Sequence, residues 1–483
     1  MRRRIVVPPR EMASLVESGK QVIDEGRITE ALRASREPDE SRLADLLAKA
    51  RERKGLSLTE VADLVHLRRP EHVQALYEAA AEVKQRIYGD RVVLFAPLYV
   101  SNECVGNCLY CGFRRDNRDL KRQTLTQEEI ASEVLWLIEH GYKRLLLVYG
   151  ETPRNGVASM VEAVQTVYAT HSGAGEIRRV NINAAPLSHE DFKALQPAGI
   201  GTYQVFQETY HRETYARMHP CGPKADYDWR VTVWDRCIPA GIDDVGLGVL
   251  LGLTDWRWDL LALLDHARYL DETYGVGPHT ISVPRLEPAF NTPLATNPPA
   301  PVSDDEFRKI VAIVRLAVPY TGIIMSTRES PDMRRECLRL GVSQISAGSR
   351  VSPGGYAEVD AEENADFDEA QFKVGDHRGL DEIMRDLCDQ GYLPSFCTAC
   401  YRAGRTGPDF MALAKPGEIH NFCLPNALLT FKEYLLDYAT PETRAAGEKV
   451  IWDNLDKVED EQVRRVAEER LAALDAGQRD VYF

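Results

Sequence analysis

The chain has 483 residues, 44% of them apolar and 28% charged, the composition of an ordinary folded globular protein and not of a disordered or fibrous one. Its formal net charge of −15 argues against a general nucleic-acid binder, which needs a basic face to displace counterions, and is explained by solubility. The basic start MRRRIVVPPREMASLVESG lacks an apolar run long enough for a signal peptide, and no stretch approaches the roughly 20 apolar residues of a membrane span, so the chain reads as cytoplasmic.

In chain order, residues 12–90 are charged, with apolar residues at 3.6-type spacing in RITEALRASREPDESRLADLLAKARERKG, SLTEVADLVHLRR and PEHVQALYEAAAEVKQRIYG. Polar starts with acids in the first turn predict helices here, and hence a helical N-terminal extension over 1–90. From residue 91 the texture changes to short apolar runs: RVVLFAPLYVS, RLLLVYGE, RRVNINAA, TYQVFQET, DVGLGVLLGL, HTISVPRLEP, TGIIMSTRE and VSQISAGS. Helix-like stretches such as TQEEIASEVLWLIEHG and SDDEFRKIVAIVRLAV lie between them. Continuous apolar strands alternating with helices predict a parallel sheet covered on its outer face. Eight such units over 91–350 match a TIM-type (β/α)8 barrel. An open doubly wound sheet is the alternative, but the glycine-rich nucleotide fingerprint of that fold is missing. Past residue 351 the acidic SPGGYAEVDAEENADFDEAQF breaks the pattern, GLDEIMRDLCDQGYLP resumes it, and charged helices close a C-terminal unit over 351–483.

Ten cysteines in a reducing compartment point to metal or catalysis before disulfides. In SNECVGNCLYCGFRRDN, Cys104, Cys108 and Cys111 are spaced C-x3-C-x2-C directly after the first strand, at the barrel face where such enzymes place their chemistry. Three thiolates without a fourth suit a four-iron cluster with one iron left open, much as catalytic zinc keeps an open position. A zinc site with a distant fourth ligand is the alternative. In the C-terminal unit, Cys397, Cys400 and Cys423 form a second triplet, C-x2-C-x22-C. A zinc ribbon wants a second close pair; His420 is the nearby candidate for a fourth ligand. Cys221, Cys237, Cys337 and Cys388 fit neither pattern and read as buried packing. Asn181 and Asn183 of VNIN share one strand face, and the Glu151 carboxylate is a suitable acceptor for an ammonium group.

The first triplet, with Tyr110 just before its last cysteine, resembles the radical S-adenosylmethionine (SAM) superfamily. That resemblance implies a 4Fe-4S cluster whose open iron is chelated by SAM. It also implies that Gly150 and Glu151 of VYGE, together with Asn181 and Asn183, hold SAM; Tyr149 stands where a small residue is more usual. The second triplet, together with APLYVSNECVGNC, FQETYH, MHPCGPK, GIDDVGLGVL, GPHTISVPR, STRE, QGYLP and NFCLPNALLTFKEYLLDY, resembles the HydG family of tyrosine lyases, maturases of FeFe-hydrogenase. The thiamine-pathway tyrosine lyases that make 2-iminoacetate share the barrel but lack the cysteine-bearing C-terminal unit.

The resemblance implies cleavage of L-tyrosine to p-cresol and dehydroglycine. It further implies an auxiliary cluster, four-iron or five-iron, with a labile iron linked through free cysteine. There the fragment yields carbon monoxide and cyanide for an iron carbonyl cyanide unit of the hydrogenase H-cluster. Partners would be other hydrogenase maturases or scaffold proteins, with no nucleic acid and no membrane. The family's histidine on the labile iron is carried to His279, which opens a strand at the far barrel end; His266 is its rival. Arg328 in MSTRE is expected to grip the tyrosine carboxylate, with Ser326 nearby and Gln207, Glu208 and Arg285 as further cavity candidates. The competing readings are a 2-iminoacetate-forming lyase with a structural second cluster, and a non-catalytic iron–sulfur carrier. The second has no need of Glu151, Asn183 and Arg328 at strand ends.

Overall fold

Strand β1 (Arg91–Ser101) is buried at all eleven positions, as a strand covered on both faces must be. It opens a closed, all-parallel barrel continued by β2 (Arg144–Tyr149). The short hairpin β3 (His171–Ser172) and β4 (Gly175–Glu176) interrupts the sequence. The barrel then resumes with β5 (Arg179–Asn183), β6 (Tyr203–Gln204), β7 (Val245–Gly248), β8 (Thr280–Ser282), β9 (Gly322–Met325) and β10 (Gln344–Ser346). Pairing of Val93 with Gln344 closes the ring between β1 and β10. Each of the eight expected apolar runs forms one barrel strand. In this computed structural model the described residues are 22–357 and 370–483; residues 12–21 of the helix-like start and the acidic stretch 358–369 lie outside them.

One strand was not legible in the sequence. β11 (Leu393–Ser395) pairs in parallel with the first residues of β1, Arg91 opposite Leu393, on the same edge that β2 occupies from Ala96 onward. The C-terminal segment thus adds to the barrel wall at its N-terminal end, and carries Cys397 just beyond that strand.

The N-terminal extension is helical over Glu25–Ala34, Glu40–Arg51, Leu58–Leu64 and Pro70–Tyr88. Asp24, Asp39 and Ser57 each accept a backbone N–H at the start of a helix, the usual role of short polar residues there. These helices share one apolar core with the barrel and the C-terminal helices. Lys309, inside the barrel helix Asp304–Ala317, donates to the Leu67 carbonyl across that boundary. The C-terminal helices His420–Asp437 and Pro441–Leu455 pack beside β11, the first also touching β1, and Glu461–Asp475 packs on His420–Asp437. Among the described residues no helix is long and apolar enough to cross a membrane.

Candidate functional site

The first cysteine triplet sits in the loop leaving β1. A Cβ on Gly106 would lie 3.5 Å from the Cys104 Sγ and 3.8 Å from the Cys108 Sγ, so both thiols close over a residue that has no side chain. Burial pushes the Cys108 thiol up to about 12, so ligation there needs a positive centre to draw the proton off. Strand β2 delivers Gly150 against this loop: a Cβ at that position would stand 2.2 Å from the Glu103 carbonyl oxygen. The Gly150 N–H donates to Ser101 O, and Val105 N–H donates to the Glu151 carbonyl, both at 2.8 Å. Only glycine allows that approach.

Tyr110 is fixed by a second contact. The His219 Nδ1 lies 2.8 Å from the Tyr215 carbonyl, which can only accept, so Nε2 is left to accept the Tyr110 hydroxyl, also at 2.8 Å. Burial holds the His219 imidazole neutral, down to about 2.

One cavity at this mouth is lined by Tyr110, Cys111, Asn183, Glu208, Ser326 and Arg328. The Arg328 guanidinium lies with its Cζ 3.4 Å from the centroid of the Phe372 ring. Among the described residues it has no ion-pair or hydrogen-bond partner. Its backbone N–H donates to Ser326 Oγ at 3.3 Å. The roof is a segment past residue 370: the Tyr99 hydroxyl donates to Gln371 Oε1, and a Cβ on Gly112 would meet the Gln371 carbonyl oxygen at 2.9 Å. An unpartnered guanidinium stacked on an aromatic ring is a ready receptor for a carboxylate.

Three of the expected residues do not line this cavity. Gln207 is buried but lies outside the cavity lining, because strand alternation turns Phe206 and Glu208 inward and Gln207 away. Arg285 is committed to Glu329 and to Asp304, the latter at 2.7 Å. Asn181 lies on the same face as Asn183 but deeper, where its Oδ1 accepts the Thr202 N–H at 2.9 Å. Two cations escaped sequence reading. Lys224 pairs with Glu208 at 2.7 Å, and the buried Arg230 donates from Nε to the Phe206 carbonyl at 2.8 Å. Both lie far from the strand ends in sequence, so the only available signal was Lys224 within MHPCGPK.

The second triplet is at the opposite mouth. The Cys397 carbonyl accepts from Arg144 Nη1 at 2.6 Å. Burial and then the neighbouring Cys423 and Cys397 push the Cys400 thiol up to about 12; burial works to lower Arg91, but Cys423, Cys397, Tyr88 and Cys400 together outweigh it and leave the group raised. Tyr401 stands under Arg179, whose Cζ is 3.1 Å from the ring centroid. The Tyr401 hydroxyl is 3.0 Å from Nε2 of His279, and Nδ1 of His279 faces the Asp244 carboxylate at 3.5 Å. His279 thus stands at the mouth that carries the second triplet. Its rival His266 is on the outer helix Trp256–Tyr274, bound to the Tyr210 hydroxyl at 2.9 Å and driven down to about 3 by burial. His420 packs against Gly89. Among the described residues no three His, Cys, Asp or Glu side chains converge as on a single metal ion.

The Radical SAM superfamily model matches residues 98–266, and the Biotin and Thiamin Synthesis associated domain matches 282–393. The 2-iminoacetate synthase of Escherichia coli K12 is 33% identical over 326 residues, 67% of this chain and 82% of that protein. A crystal structure of HydG, a maturase of the FeFe-hydrogenase, is 49% identical with a TM-score of 0.92, covering 96% of this chain and 100% of that one. HydG from Carboxydothermus hydrogenoformans is 38% identical with a TM-score of 0.79 over the same shares. The chain is therefore a radical SAM enzyme and belongs to the HydG family of FeFe-hydrogenase maturases.

Proposed function

We propose that the protein is a tyrosine lyase with two reaction sites. The observation that carries this reading is the Arg328 guanidinium, unpartnered among the described residues and facing the same cavity as Cys111. It receives the carboxylate of L-tyrosine, with Ser326 supporting the strand end and Glu208 offering an acceptor to an α-ammonium group. Cys104, Cys108 and Cys111 hold a four-iron cluster, beside which Gly150, Glu151 and Asn183 seat SAM. When bound, that pair supplies the radical that starts scission of the tyrosine Cα–Cβ bond to p-cresol and dehydroglycine. The Phe372 ring and the Gln371–Tyr99 contact roof the cavity and keep water from the reacting carbon.

At the far mouth Cys397, Cys400 and Cys423 would hold an auxiliary cluster with a labile iron and free cysteine, and His279, held by Tyr401 at 3.0 Å, would be the ligand offered to that iron. When bound, that cluster would supply the site at which the fragment yields carbon monoxide and cyanide, to be passed with iron to other hydrogenase maturases or a scaffold. A second reading, lysis to 2-iminoacetate with a structural second cluster, draws support from the 33% identity to the bacterial synthase.

Anaerobically reconstituted, dithionite-reduced protein given SAM and L-tyrosine tests both. p-Cresol and haemoglobin-trapped carbon monoxide in one tube are expected. p-Cresol without carbon monoxide favours the second reading, and SAM cleavage without p-cresol removes tyrosine as substrate.

A further inference from the structure

We propose that Lys224 is a positioning residue for the first cysteine triplet, holding the Glu208 carboxylate toward the cavity and keeping a fixed positive charge beside the thiolates of Cys108 and Cys111. The inference rests on the reading of that triplet as a cluster site.

The segment MHPCGPK (218–224) is laid along the cysteine loop at successive points. Leu109 N–H donates to Met218 O at 3.0 Å, the Tyr110 hydroxyl reaches His219, and Asn107 N–H donates to Cys221 O at 3.4 Å. Gly222, at φ +88°, then crosses so close that a Cβ would stand 2.8 Å from the Gly106 Cα. The segment ends with Lys224, whose carbonyl accepts the Tyr215 hydroxyl at 2.6 Å. Its backbone is thus fixed from both sides before its side chain turns inward.

The ammonium meets Glu208 at 2.7 Å, with both side chains only 14% exposed, and stands 5.7 Å from the Tyr110 ring centroid. Glu208 lines the same cavity as Tyr110 and Cys111, so the ammonium paired with it stands at the wall of that chamber. Glu208 is held at φ +70°, a left-handed backbone that a glutamate adopts only when its surroundings impose it. The neighbouring cation, Arg230, directs its Nε to the Phe206 carbonyl instead. Lys224 is therefore the ion-pair partner of Glu208 among the described residues. A clip that merely closed a loop would not need a buried ion pair on the cavity that Cys111 lines. A cation held there favours the more negative, reduced state of whatever those thiolates bind.

The test is a redox titration of the reconstituted full-length protein, followed by the paramagnetic signal that changes when SAM is added. Lys224→Gln should move its midpoint to more negative potential, as expected for losing one fixed positive charge beside the cluster ligands. Lys224→Arg should stay near wild type, and Glu208→Gln should move the midpoint the opposite way, a sign that general loosening of the loop does not produce. A Lys224→Gln midpoint equal to wild type overturns the proposal, as does an equal displacement in Lys224→Arg. If Lys224→Gln does not load iron, the other two variants decide: unchanged midpoints in both overturn it. A wild-type protein with no SAM-responsive signal removes the cluster reading itself, an outcome distinct from all of these.

Discussion

At the C-terminal mouth the cysteines border a cavity with one uncommitted guanidinium, whereas at the N-terminal mouth they are walled in by cations. Arg91, Arg144 and Arg179 are each at most 8% exposed, and each has a buried Nε without a hydrogen-bond partner among the described residues. Both oxygens of the nearby Asp244 are in the same condition. The two mouths thus offer the same three-thiol donor set in opposite surroundings. The first has room and, among the described residues, one cation without a partner, Arg328, which suits an incoming carboxylate. The second is crowded and lined by three buried arginines, of which Arg91 and Arg144 oppose the burial that raises the Cys397 thiol, a charge effect that acts strongly where water is excluded. Donor count alone would have made the two sites equivalent; the residues around them make one a chamber and the other a closed socket.

The comparison breaks most sharply at Arg328. Arg328→Met should lower tyrosine turnover by more than about 100-fold, the usual scale for truncating one partner of a desolvated charge pair. Iron content at both triplets should stay at wild-type level. Measuring p-cresol formation beside iron per chain checks this, and retained turnover would make the arginine a packing residue of Phe372.

A smaller, one-sided effect is expected at the other end. His279→Ala should reduce carbon monoxide about tenfold while leaving p-cresol within about twofold of wild type, on the usual scale for a metal-ligand environment. Loss of both products together would mean that the two mouths are not separable.

The smallest effect concerns pH and ignores the mouths altogether. His219 and His266 are held neutral by burial, at about 2 and about 3 against an ordinary 6.5. Below 6.5 the unfolded chain takes up protons that the folded chain refuses, so stability falls as pH drops from 6.5 toward those values. The slope approaches about 1.4 kcal/mol per pH unit for each histidine. Denaturant midpoints at pH 7.5, 6.0 and 5.0 should fall in that order.

Much of the fold could be read because each barrel strand is a continuous apolar run, as β1 is over its full length. β11 could not: Leu393–Ser395 is three residues with a central proline, and only the free edge of β1 makes it a strand. The roofing segment at Gln371 and Phe372 has no periodicity either; its place is fixed by Gly375 and Asp376 N–H groups donating to the Thr327 carbonyl. Both triplets were visible from spacing. Gln207 and Arg285 were misjudged for one reason, that strand-end position says which mouth a residue reaches but not which way it faces. Lys224, Arg230 and the arginine wall were missed because three-dimensional proximity, not local pattern, gives them their neighbours.

Strand β1 has a consequence of its own. Its eleven residues, at about 3.3 Å each, span on the order of 35 Å, from Arg91 beside the second triplet to Ser101 at the root of the first. It is clamped along that length by β10 on one edge and by β11 and then β2 on the other. The strand is in effect a ruler built into the wall. It holds the two cysteine triplets at opposite ends of one strand, so on the two-site reading whatever forms at one would have to travel to the other. An insertion or deletion of two residues inside β1 would keep its faces in phase yet change that length, altering the transit between the centres without altering either one.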